Sequence, residues 1–357
     1  MADDAPPAHG GQRRWAAEAY GGDATRWLDF SANLNPLGPP QCVMEALRHG
    51  LGEIAFYPDL EAKEATRALA GYLGVAPGQL LLTSGGMEAI YLAVRALQPR
   101  SAIIREPAFG GYREALGASG VPALSFFGPA RDLLTARIEP GTLIVLGQPG
   151  NPAGGLEDRT LLLALLGRLQ GIGGHLLVDE AFIDFVERPE EHSLRKSANE
   201  PGLIVVGSLT KFYTLPGLRV GYALAAAELL QALRRQMTPW SVSSLAQIAT
   251  VAAVSDASFV AESRRFLPPA RREFATALQG TGAFAVTEGR ANYLLLDATP
   301  SGIPAARWTR GAARRGILVR DASTFPGLTP YHLRVAVRTP AENGQVVQAL
   351  AEIVRAR

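Results

Sequence analysis

The chain has little of what would place it in a special class of protein. Its 357 residues include one cysteine, Cys42, so no disulfide can form within the chain, and a zinc site would need mostly other ligands. The 35 basic and 33 acidic residues nearly cancel, which gives no reason to expect nucleic acid or an anionic membrane as the main partner. We therefore expect no metal, no nucleic acid and no membrane partner.

Long hydrophobic runs are also missing. The apolar run at residues 161–166 is too short to span a bilayer and is followed by Arg168. Residues 1–11 carry acids and prolines without an apolar core, unlike a signal peptide. With 47% hydrophobic and 19% charged residues, the composition is that of a globular chain, and we expect a cytoplasmic protein.

What the sequence does contain is an alternation of short apolar runs and helical stretches from about residue 79. Six such runs begin at residues 80, 102, 143, 176, 203 and 220. Continuous apolar runs are typical of strands in a sheet that helices cover on both faces. Helices are predicted between them, for example at 86–97 and 156–169. The pattern predicts an α/β fold with a mostly parallel sheet.

The C-terminal third shows a different pattern, with arginine-rich amphipathic stretches, strand-like runs and two further helices. These segments are 227–238 and 258–279, then 293–296, 317–319 and 333–337, and helices at 303–315 and 340–355. We predict a large domain at residues 45–245 and a smaller α/β domain formed by residues 1–44 and 246–357. We expect the N-terminal segment to pack on the smaller domain, which the sequence alone does not show.

Four polar segments follow predicted strands, which is where open α/β sheets bind their ligands. Each also has a plain structural explanation as a turn or a helix cap. The segments are Thr83-Ser84-Gly85-Gly86-Met87-Glu88, Gln148-Pro149-Gly150-Asn151-Pro152-Ala153-Gly154, Asp179-Glu180, and Ser208-Leu209-Thr210-Lys211 with Gly217-Leu218-Arg219 after it.

These segments suit a ligand that carries both an anionic group and a cationic or hydrogen-bonding group. Adjacent glycines at a helix start let backbone N–H groups approach an anion. Asp179, a carboxylate at the end of a buried strand, needs a cationic or hydrogen-bonding partner. Burial would lower the pKa of Lys211, as a nucleophilic lysine requires, and Ser208 and Arg219 are suited to hold a phosphate.

In this order the segments resemble the class I and II aminotransferases, enzymes of the pyridoxal-5′-phosphate (PLP) transferase fold type I. The match covers nearly the whole chain, and its spacings are specific: 28 residues from Asn151 to Asp179 and 32 from Asp179 to Lys211. A nicotinamide-dependent dehydrogenase is disfavoured, because no Gly-x-Gly-x-x-Gly segment follows a strand in the right place. A binding domain without catalysis is disfavoured, because both Asp179 and Lys211 are present.

The resemblance implies a role for each polar residue around the cofactor. Lys211 would carry PLP as a Schiff base and move the proton, and Asp179 would pair with the protonated ring nitrogen. Asn151 would donate to the 3′-oxygen of the ring, and Tyr112 would stack on the ring face. The cofactor phosphate would be held by Gly86, Met87, Ser208, Arg219 and Tyr57 of the partner subunit. The last role implies a homodimer with shared active sites.

The resemblance also implies a small phosphorylated amino acid as substrate. Arg334, in the run His332-Leu333-Arg334-Val335, matches the arginine that grips the substrate α-carboxylate. Arg320, in the run at 317–321, would face the phosphate of the substrate. Two branches of the family share that run: the histidinol-phosphate aminotransferases and the L-threonine-O-3-phosphate decarboxylases of cobalamin synthesis.

Three features favour the decarboxylase branch. The opening His9-Gly10-Gly11 resembles that of the decarboxylases, where the histidine lies near the substrate phosphate, and the segment at 29–38, which includes Asn33, resembles their next motif. The runs at 179–185 and 208–219 match the decarboxylase pattern closely. In addition, aminotransferases usually carry tyrosine where Phe182 stands, so one hydroxyl near the ring 3′-oxygen is absent. Transamination stays open as the alternative, because the orientation of the bound substrate decides which bond breaks.

Overall fold

The structure is a computed structural model that describes residues 9–355. Its helices are α1 (Arg13–Tyr20), α2 (Gln41–His49), α3 (Lys63–Leu73), α4 (Gly85–Leu97), α5 (Gly111–Ala118), α6 (Arg159–Gln170), α7 (Pro189–His192), α8 (Leu209–Phe212), α9 (Ala227–Arg235), α10 (Ser244–Ser255), α11 (Ala257–Gln279), α12 (Ala305–Ala313) and α13 (Pro340–Arg355). Its strands are β1 (Leu28–Asp29), β2 (Leu80–Thr83), β3 (Ser101–Glu106), β4 (Ala123–Phe127), β5 (Thr142–Gly147), β6 (His175–Asp179), β7 (Leu203–Ser208), β8 (Gly221–Leu224), β9 (Ala285–Glu288), β10 (Tyr293–Asp297), β11 (Ile317–Leu318), β12 (Arg320–Asp321) and β13 (His332–Ala336).

The predicted apolar runs form a seven-stranded sheet in the order β2-β8-β7-β6-β5-β3-β4. The pairs from β7 across to β4 are parallel, whereas β8 runs antiparallel to both β7 and β2. Strands β2, β7 and β8 are buried along their whole length, since the sheet has hydrophobic clusters on both faces. The α/β fold with a mostly parallel sheet is confirmed.

A second, antiparallel sheet has the order β12-β13-β10-β9, and β1 pairs in parallel with β11 beside it. The N-terminal segment joins these strands, because Phe30 receives a backbone hydrogen bond from Ala336 and donates one to Leu318, each of 2.8 Å. The expected packing of this segment on the C-terminal third is therefore present. The domain bounds at residues 45–245 stay a prediction.

The sequence pattern missed several elements, among them α2, α3, α5 and β9 as well as β4 and α10. Strand β4 lies at the edge of the large sheet, and two of its five residues are exposed apolar side chains, Leu124 and Phe127, so it shows no continuous buried run. Helix α10 has no polar face from which to read a helical period, and Ser243 caps its first turn by accepting from the backbone N–H of Ala246.

Helix α6 starts at Arg159, later than predicted, because Asp158 accepts from the N–H groups of its first turn.

Within residues 9–355, no single helix has the length and apolar composition to cross a membrane. Helices α10 and α11, bent by 71° at their junction, meet that test only as a pair and only by length and composition. The same described residues contain no group of three or more His, Cys, Asp or Glu side chains placed to hold a metal ion.

Candidate active site

A cavity of about 540 Å³ lies between the carboxyl ends of the large-sheet strands and the small sheet. Parallel pairing of β5, β6 and β7 brings the ends of these strands to one edge. The cavity wall contains every predicted site residue except Tyr57. These residues are His9, Gly10, Asn33, Gly86, Met87, Tyr112, Asn151, Asp179, Ser208, Lys211, Arg219, Arg320 and Arg334.

Lys211 lies in the short helix α8, directly after β7. Burial of its amine, with Arg334 and Arg219 nearby, lowers the pKa of Lys211 to about 8, while the charge of Asp179 opposes the shift. A lysine with this pKa is partly unprotonated near neutral pH, which is the form that attacks an aldehyde carbon.

The backbone of α8 is fixed from the N-terminal segment. Asn35, which is 3% exposed, donates its backbone N–H to the carbonyl oxygen of Lys211 at 3.1 Å. Its side-chain amide donates to the carbonyl oxygen of Phe212 at 3.0 Å. Sequence analysis missed Asn35, although it lies in the Asn-Pro pair of the segment at 29–38; it positions Lys211 through the backbone.

Asp179 ends β6 and is held by two donors. The Tyr112 hydroxyl donates to Oδ2 at 2.8 Å, and the backbone N–H of Ala181 donates to Oδ1 at 3.0 Å. Burial raises the pKa of Asp179, whereas the Tyr112 and Ala181 hydrogen bonds and the charge of Lys211 lower it. The carboxylate keeps free lone pairs, so it can accept from a further N–H donor in the cavity.

Tyr112 is 2% exposed and its ring meets that of Phe109 edge-on, with centroids 5.6 Å apart. Both rings line the cavity, and Phe109 is the more accessible of the two. The stacking role of Tyr112 stays a prediction. The contact between its hydroxyl and Asp179 was not anticipated, and it makes Phe109 a second candidate for the face of a bound ring.

One end of the cavity is lined by hydroxyl, guanidinium and helix N-terminal groups. Gly85, at the start of α4, has φ +82°, and an added Cβ there would lie 2.7 Å from Nη2 of Arg219. The Ser208 hydroxyl lies 2.7 Å from that of Thr210, which also lines the cavity. Backbone N–H groups of α4, two hydroxyls and a guanidinium make this end suited to a phosphate. Thr210 was missed, although Ser208-Leu209-Thr210-Lys211 places it two residues from Ser208.

Two buried arginines form the opposite wall. Arg320 of β12 and Arg334 of β13 are direct register partners, and they are 7% and 6% exposed. Side chains of directly opposed residues in an antiparallel pair share one face, with Cβ atoms about 5 Å apart. Burial, with Arg320 nearby, lowers the pKa of Arg334 to about 10. The wall therefore carries a like-charge pair that faces the cavity.

Arg334 is held by neutral acceptors. It donates from Nη1 to Oδ1 of Asn151 at 2.6 Å and from Nη2 to the carbonyl oxygen of Ser31 at 2.9 Å. Among residues 9–355, no acidic side chain lies within 4 Å of this guanidinium, and its Nε has no hydrogen-bond partner. Arg320 donates from Nη2 to the Thr324 hydroxyl at 3.1 Å. Sequence analysis missed Thr324, four residues beyond Arg320, because nothing in a lone threonine signals a ligand.

Residues 9–11 lie at the mouth of the cavity. Nε2 of His9 is 3.3 Å from Oε1 of Glu114, and the backbone N–H of Gly11 donates to the Ser31 hydroxyl at 2.9 Å. A Cβ at Gly10 would lie 2.1 Å from the Ser31 carbonyl oxygen, so only glycine fits there. Asn33 is 2% exposed, and its Oδ1 lacks a hydrogen-bond partner.

A second set of buried charges lies behind Asp179, where Glu180 and Asp184 share Arg195, and Nη2 of Arg264 lies 3.7 Å from Oδ1 of Asp184. Glu180 accepts from the Ser193 hydroxyl at 2.6 Å and lies 3.3 Å from Nε of Arg195. Arg195 also binds both oxygens of Asp184, at 2.9 and 3.1 Å. This network fixes the loop that follows β6, where Phe182 packs edge-on against Tyr293 with centroids 5.1 Å apart.

Tyr57 lies outside the cavity. Its side chain is 81% exposed and packs against Trp240, itself 47% exposed, with ring centroids 4.8 Å apart. Leu51, Ile54, Phe56 and Leu60 are also exposed in the same stretch of chain. Within one copy of the chain, Tyr57 does not contribute to the candidate site, and its predicted role requires a partner subunit.

Comparison with known proteins is consistent with this geometry. The sequence profile described as aminotransferase class I and II matches residues 25–350. A threonine-phosphate decarboxylase of Salmonella typhimurium is 37% identical over 97% of this chain and 96% of its own length. A histidinol-phosphate aminotransferase of Methanothermobacter thermautotrophicus is 28% identical over 95% of this chain and 92% of its own.

Among solved structures, the histidinol-phosphate aminotransferase of Sinorhizobium meliloti, in complex with pyridoxal-5′-phosphate, superposes with a TM-score of 0.82. It is 22% identical, and the alignment covers 96% of this chain and 94% of that one. At this identity the likeness shows the fold, which is the predicted PLP transferase fold type I.

Proposed function

This chain belongs to the aminotransferase class I and II family and is a PLP-dependent enzyme, and on that premise we propose that it decarboxylates L-threonine O-3-phosphate. The product would be (R)-1-amino-2-propanol O-2-phosphate, a step that the resemblance places in cobalamin synthesis. The opposed, buried pair Arg320 and Arg334 supports a phosphorylated amino acid as substrate. The choice of the decarboxylase is carried by Phe182 in the cavity wall, with the 37% identical relative in support.

The residues present fit the cofactor. A buried lysine with a pKa of about 8 suits bonding to an aldehyde, and the spare lone pairs of Asp179 suit a protonated ring nitrogen. The space that a side chain at Gly85 would fill lies against Arg219, at the end of the cavity suited to phosphate. Because Oδ1 of Asn151 accepts from Arg334, its amide nitrogen is left to donate to a ring oxygen.

PLP, when bound, supplies a ring system that accepts the electron pair released when a bond to Cα of an amino acid breaks. The chain's own residues decide which bond that is. Arg334 would bind the α-carboxylate and Arg320 the second anionic group, because each guanidinium can donate charge-assisted hydrogen bonds to an anion. When the carboxylate leaves, a proton must replace it at Cα, and Nζ of Lys211 is the cavity group whose pKa of about 8 suits that delivery.

Two buried guanidinium groups on one wall provide two places where an anionic group can accept charge-assisted hydrogen bonds, so the wall favours a ligand that carries two anions. Phosphorylated threonine provides a carboxylate and a phosphate. Histidinol phosphate carries a phosphate but no carboxylate, whereas 2-oxoglutarate, the second substrate of the alternative reaction, carries two carboxylates. The arginine pair therefore supports a substrate with two anionic groups and does not by itself separate the two branches, which share Arg320.

Phe182 supports the choice of the decarboxylase. It is 7% exposed in the cavity wall and brings no hydroxyl where aminotransferases of the family usually carry tyrosine. One hydrogen-bond donor to the ring 3′-oxygen is thereby absent, so Asn151 would be the side chain that donates to this oxygen.

The test is to incubate the PLP-loaded protein with L-threonine O-3-phosphate, without any keto acid, and to measure CO2. We expect steady release over many turnovers. No CO2, together with turnover of histidinol phosphate only when 2-oxoglutarate is added, would make the chain an aminotransferase, the alternative that its relatives keep open.

The functional unit that we propose is a homodimer in which Tyr57 of the partner subunit reaches the cofactor phosphate. The exposed apolar stretch from Leu51 to Leu60 supports this, since four large apolar side chains and Tyr57 are there more than half exposed. Sedimentation would give the mass of a dimer, and Tyr57→Ala would weaken PLP binding. A monomeric, fully active protein would contradict the proposal.

A further inference from the structure

The basic residues of the chain are concentrated at one place. Helix α1 and residues 302–321 contain seven arginines and two acidic residues, Glu18 and Asp321. Without these nine residues, 28 basic residues remain against 31 acidic ones, so the rest of the chain is net negative although the whole is +2. The positive excess of the molecule therefore comes from these two short segments.

The two segments meet beside the cavity. Helices α1 and α12 pack through Ala16 and Ala313, which share a small apolar cluster with Trp27. Between the helices lies a side pocket of about 50 Å³ that is lined by Trp15, Thr309 and Ala313 among others. It shares five lining residues with the main cavity, namely His9, Gly10, Gln12, Ser31 and Arg320.

The arginines at this rim point their charge to solvent. Arg13, Arg14, Arg307, Arg310 and Arg314 are exposed, and no ion pair involves them within residues 9–355. Arg310 and Arg314 directly follow Thr309 and Ala313, which line the side pocket. By contrast, Arg315 is paired with Glu352 at 3.0 Å. The charge at the rim is thus largely uncompensated.

We propose that the five exposed arginines, in α1, in α12 and directly after α12, steer small phosphorylated ligands into the cavity; we name them the arginine rim. This rests on the proposed function for the identity of the substrate, but not for the cofactor, which is itself a phosphate ester. A mostly positive rim beside a cavity walled by two further arginines raises the local concentration of anions and their rate of association. The continuity of rim, side pocket and Arg320 favours a small anion over a macromolecule.

The test compares two double variants with the same change in net charge. Arg310→Gln/Arg314→Gln removes two charges from the rim, and Arg265→Gln/Arg272→Gln removes two exposed, unpaired arginines of α11, which lines neither cavity. Association of L-threonine O-3-phosphate with the PLP-loaded protein is followed by stopped flow across a range of ionic strength.

We expect the rim variant to associate about fivefold more slowly at low salt, with a flatter dependence on salt, and the α11 variant to match wild type. The difference should vanish above about 0.3 M salt, where the Debye length falls to about 6 Å. Equal salt dependence in all three proteins, or a rim defect that persists at high salt, would overturn the steering role. So would unchanged ligand association in a rim variant that binds heparin less tightly, since the rim would then serve a macromolecular anion.

A second probe separates this inference from the proposed function. Association of PLP with the cofactor-free protein should show the same rim and salt effects, while pyridoxal, which lacks the phosphate, should show neither. If wild type fails to turn over L-threonine O-3-phosphate but PLP shows these effects, the proposed substrate is wrong and the steering stands. If PLP and pyridoxal respond alike, the steering is wrong.

Discussion

The two walls of the cavity differ in how their charges are balanced. At the strand ends, Lys211 faces Asp179, and Asp179 is held by Tyr112 and a backbone N–H. Across the cavity, Arg320 and Arg334 oppose each other in register without a carboxylate at Arg334. The first wall places charges of opposite sign together without a substrate, whereas the second places two charges of the same sign on one face of a strand pair. The cofactor site is therefore electrostatically preorganised, and an anionic substrate would reduce the repulsion within the substrate site.

The largest effect should come from the first wall. In Lys211→Ala, turnover should fall by about a thousandfold or more, because the nucleophile and the proton carrier are lost together. Borohydride reduction of the PLP-loaded wild type, followed by peptide mapping, should label Lys211. The chain has only two other lysines, Lys63 and Lys196, so the map is unambiguous. Labelling of Lys63 or Lys196 instead, or full activity of Lys211→Ala, would remove the lysine from its assigned role.

The second wall should respond to Arg320→Gln in two opposite ways. Affinity for the phosphorylated substrate should fall about thirtyfold, which corresponds to about 2 kcal/mol for a charge-assisted hydrogen bond. The substrate-free protein should become more stable, by about 1 kcal/mol, because a buried like-charge pair is relieved. Titration of substrate and urea unfolding measure the two. If Arg320→Gln lowered both the affinity for substrate and the stability of the substrate-free protein, the pair Arg320 and Arg334 would not be a source of strain.

Tyr112→Phe tests one hydrogen bond of the first wall, which the Tyr112 hydroxyl donates to Asp179. Without the hydroxyl, the pKa of Asp179 rises further, so the pH below which PLP binding weakens should move upward, and affinity should fall about tenfold. Tyr293→Phe is the matched control, because that hydroxyl donates to the Gly150 carbonyl oxygen at 3.0 Å and does not touch Asp179. PLP fluorescence titrations across pH distinguish them, and equal behaviour of the two variants would contradict the positioning role of Tyr112.

The smallest effect is a dependence of stability on pH. The pKa of Lys211 is about 8 in the folded, cofactor-free chain and 10.5 ordinarily, so between these values only the unfolded chain holds the proton. Stability therefore rises with pH through this window, and the cost of burying the charged amine, about 3 kcal/mol at most, is fully present below pH 8. Lys211→Met should be the more stable protein at pH 7, with a gap that closes towards pH 10.5. A gap independent of pH would contradict the shift.

The sequence was a better guide to the first wall than to the second. Asp179 and Lys211 directly follow buried strands, so the parallel order of β6 and β7 is enough to bring them to one edge. Local chemistry also marks the glycines at the start of α4. For this reason the α/β fold and the strand-end residues followed from the apolar runs, whereas most of the remaining cavity lining followed from the resemblance to the class I and II aminotransferases.

The second wall needed contacts that no local pattern encodes. The opposition of Arg320 and Arg334 depends on the register of β12 and β13, and the support of Lys211 by Asn35 joins residues 176 positions apart. The hydroxyl contact from Tyr112 to Asp179 likewise depends on tertiary packing. The assigned roles of all these residues remain predictions for the experiments above.

The register of β12 also sets how readily the site can change over evolutionary time. Neighbouring residues of a strand face opposite sides, so a slip of one position would put Val319 or Asp321 where Arg320 now stands. One insertion or deletion in this short edge strand could therefore replace a basic group with an apolar or an acidic one, with the cofactor wall untouched. In such a scaffold the alignment of the strands determines substrate preference. Substrate preference can therefore diverge faster than the chemistry of the cofactor site.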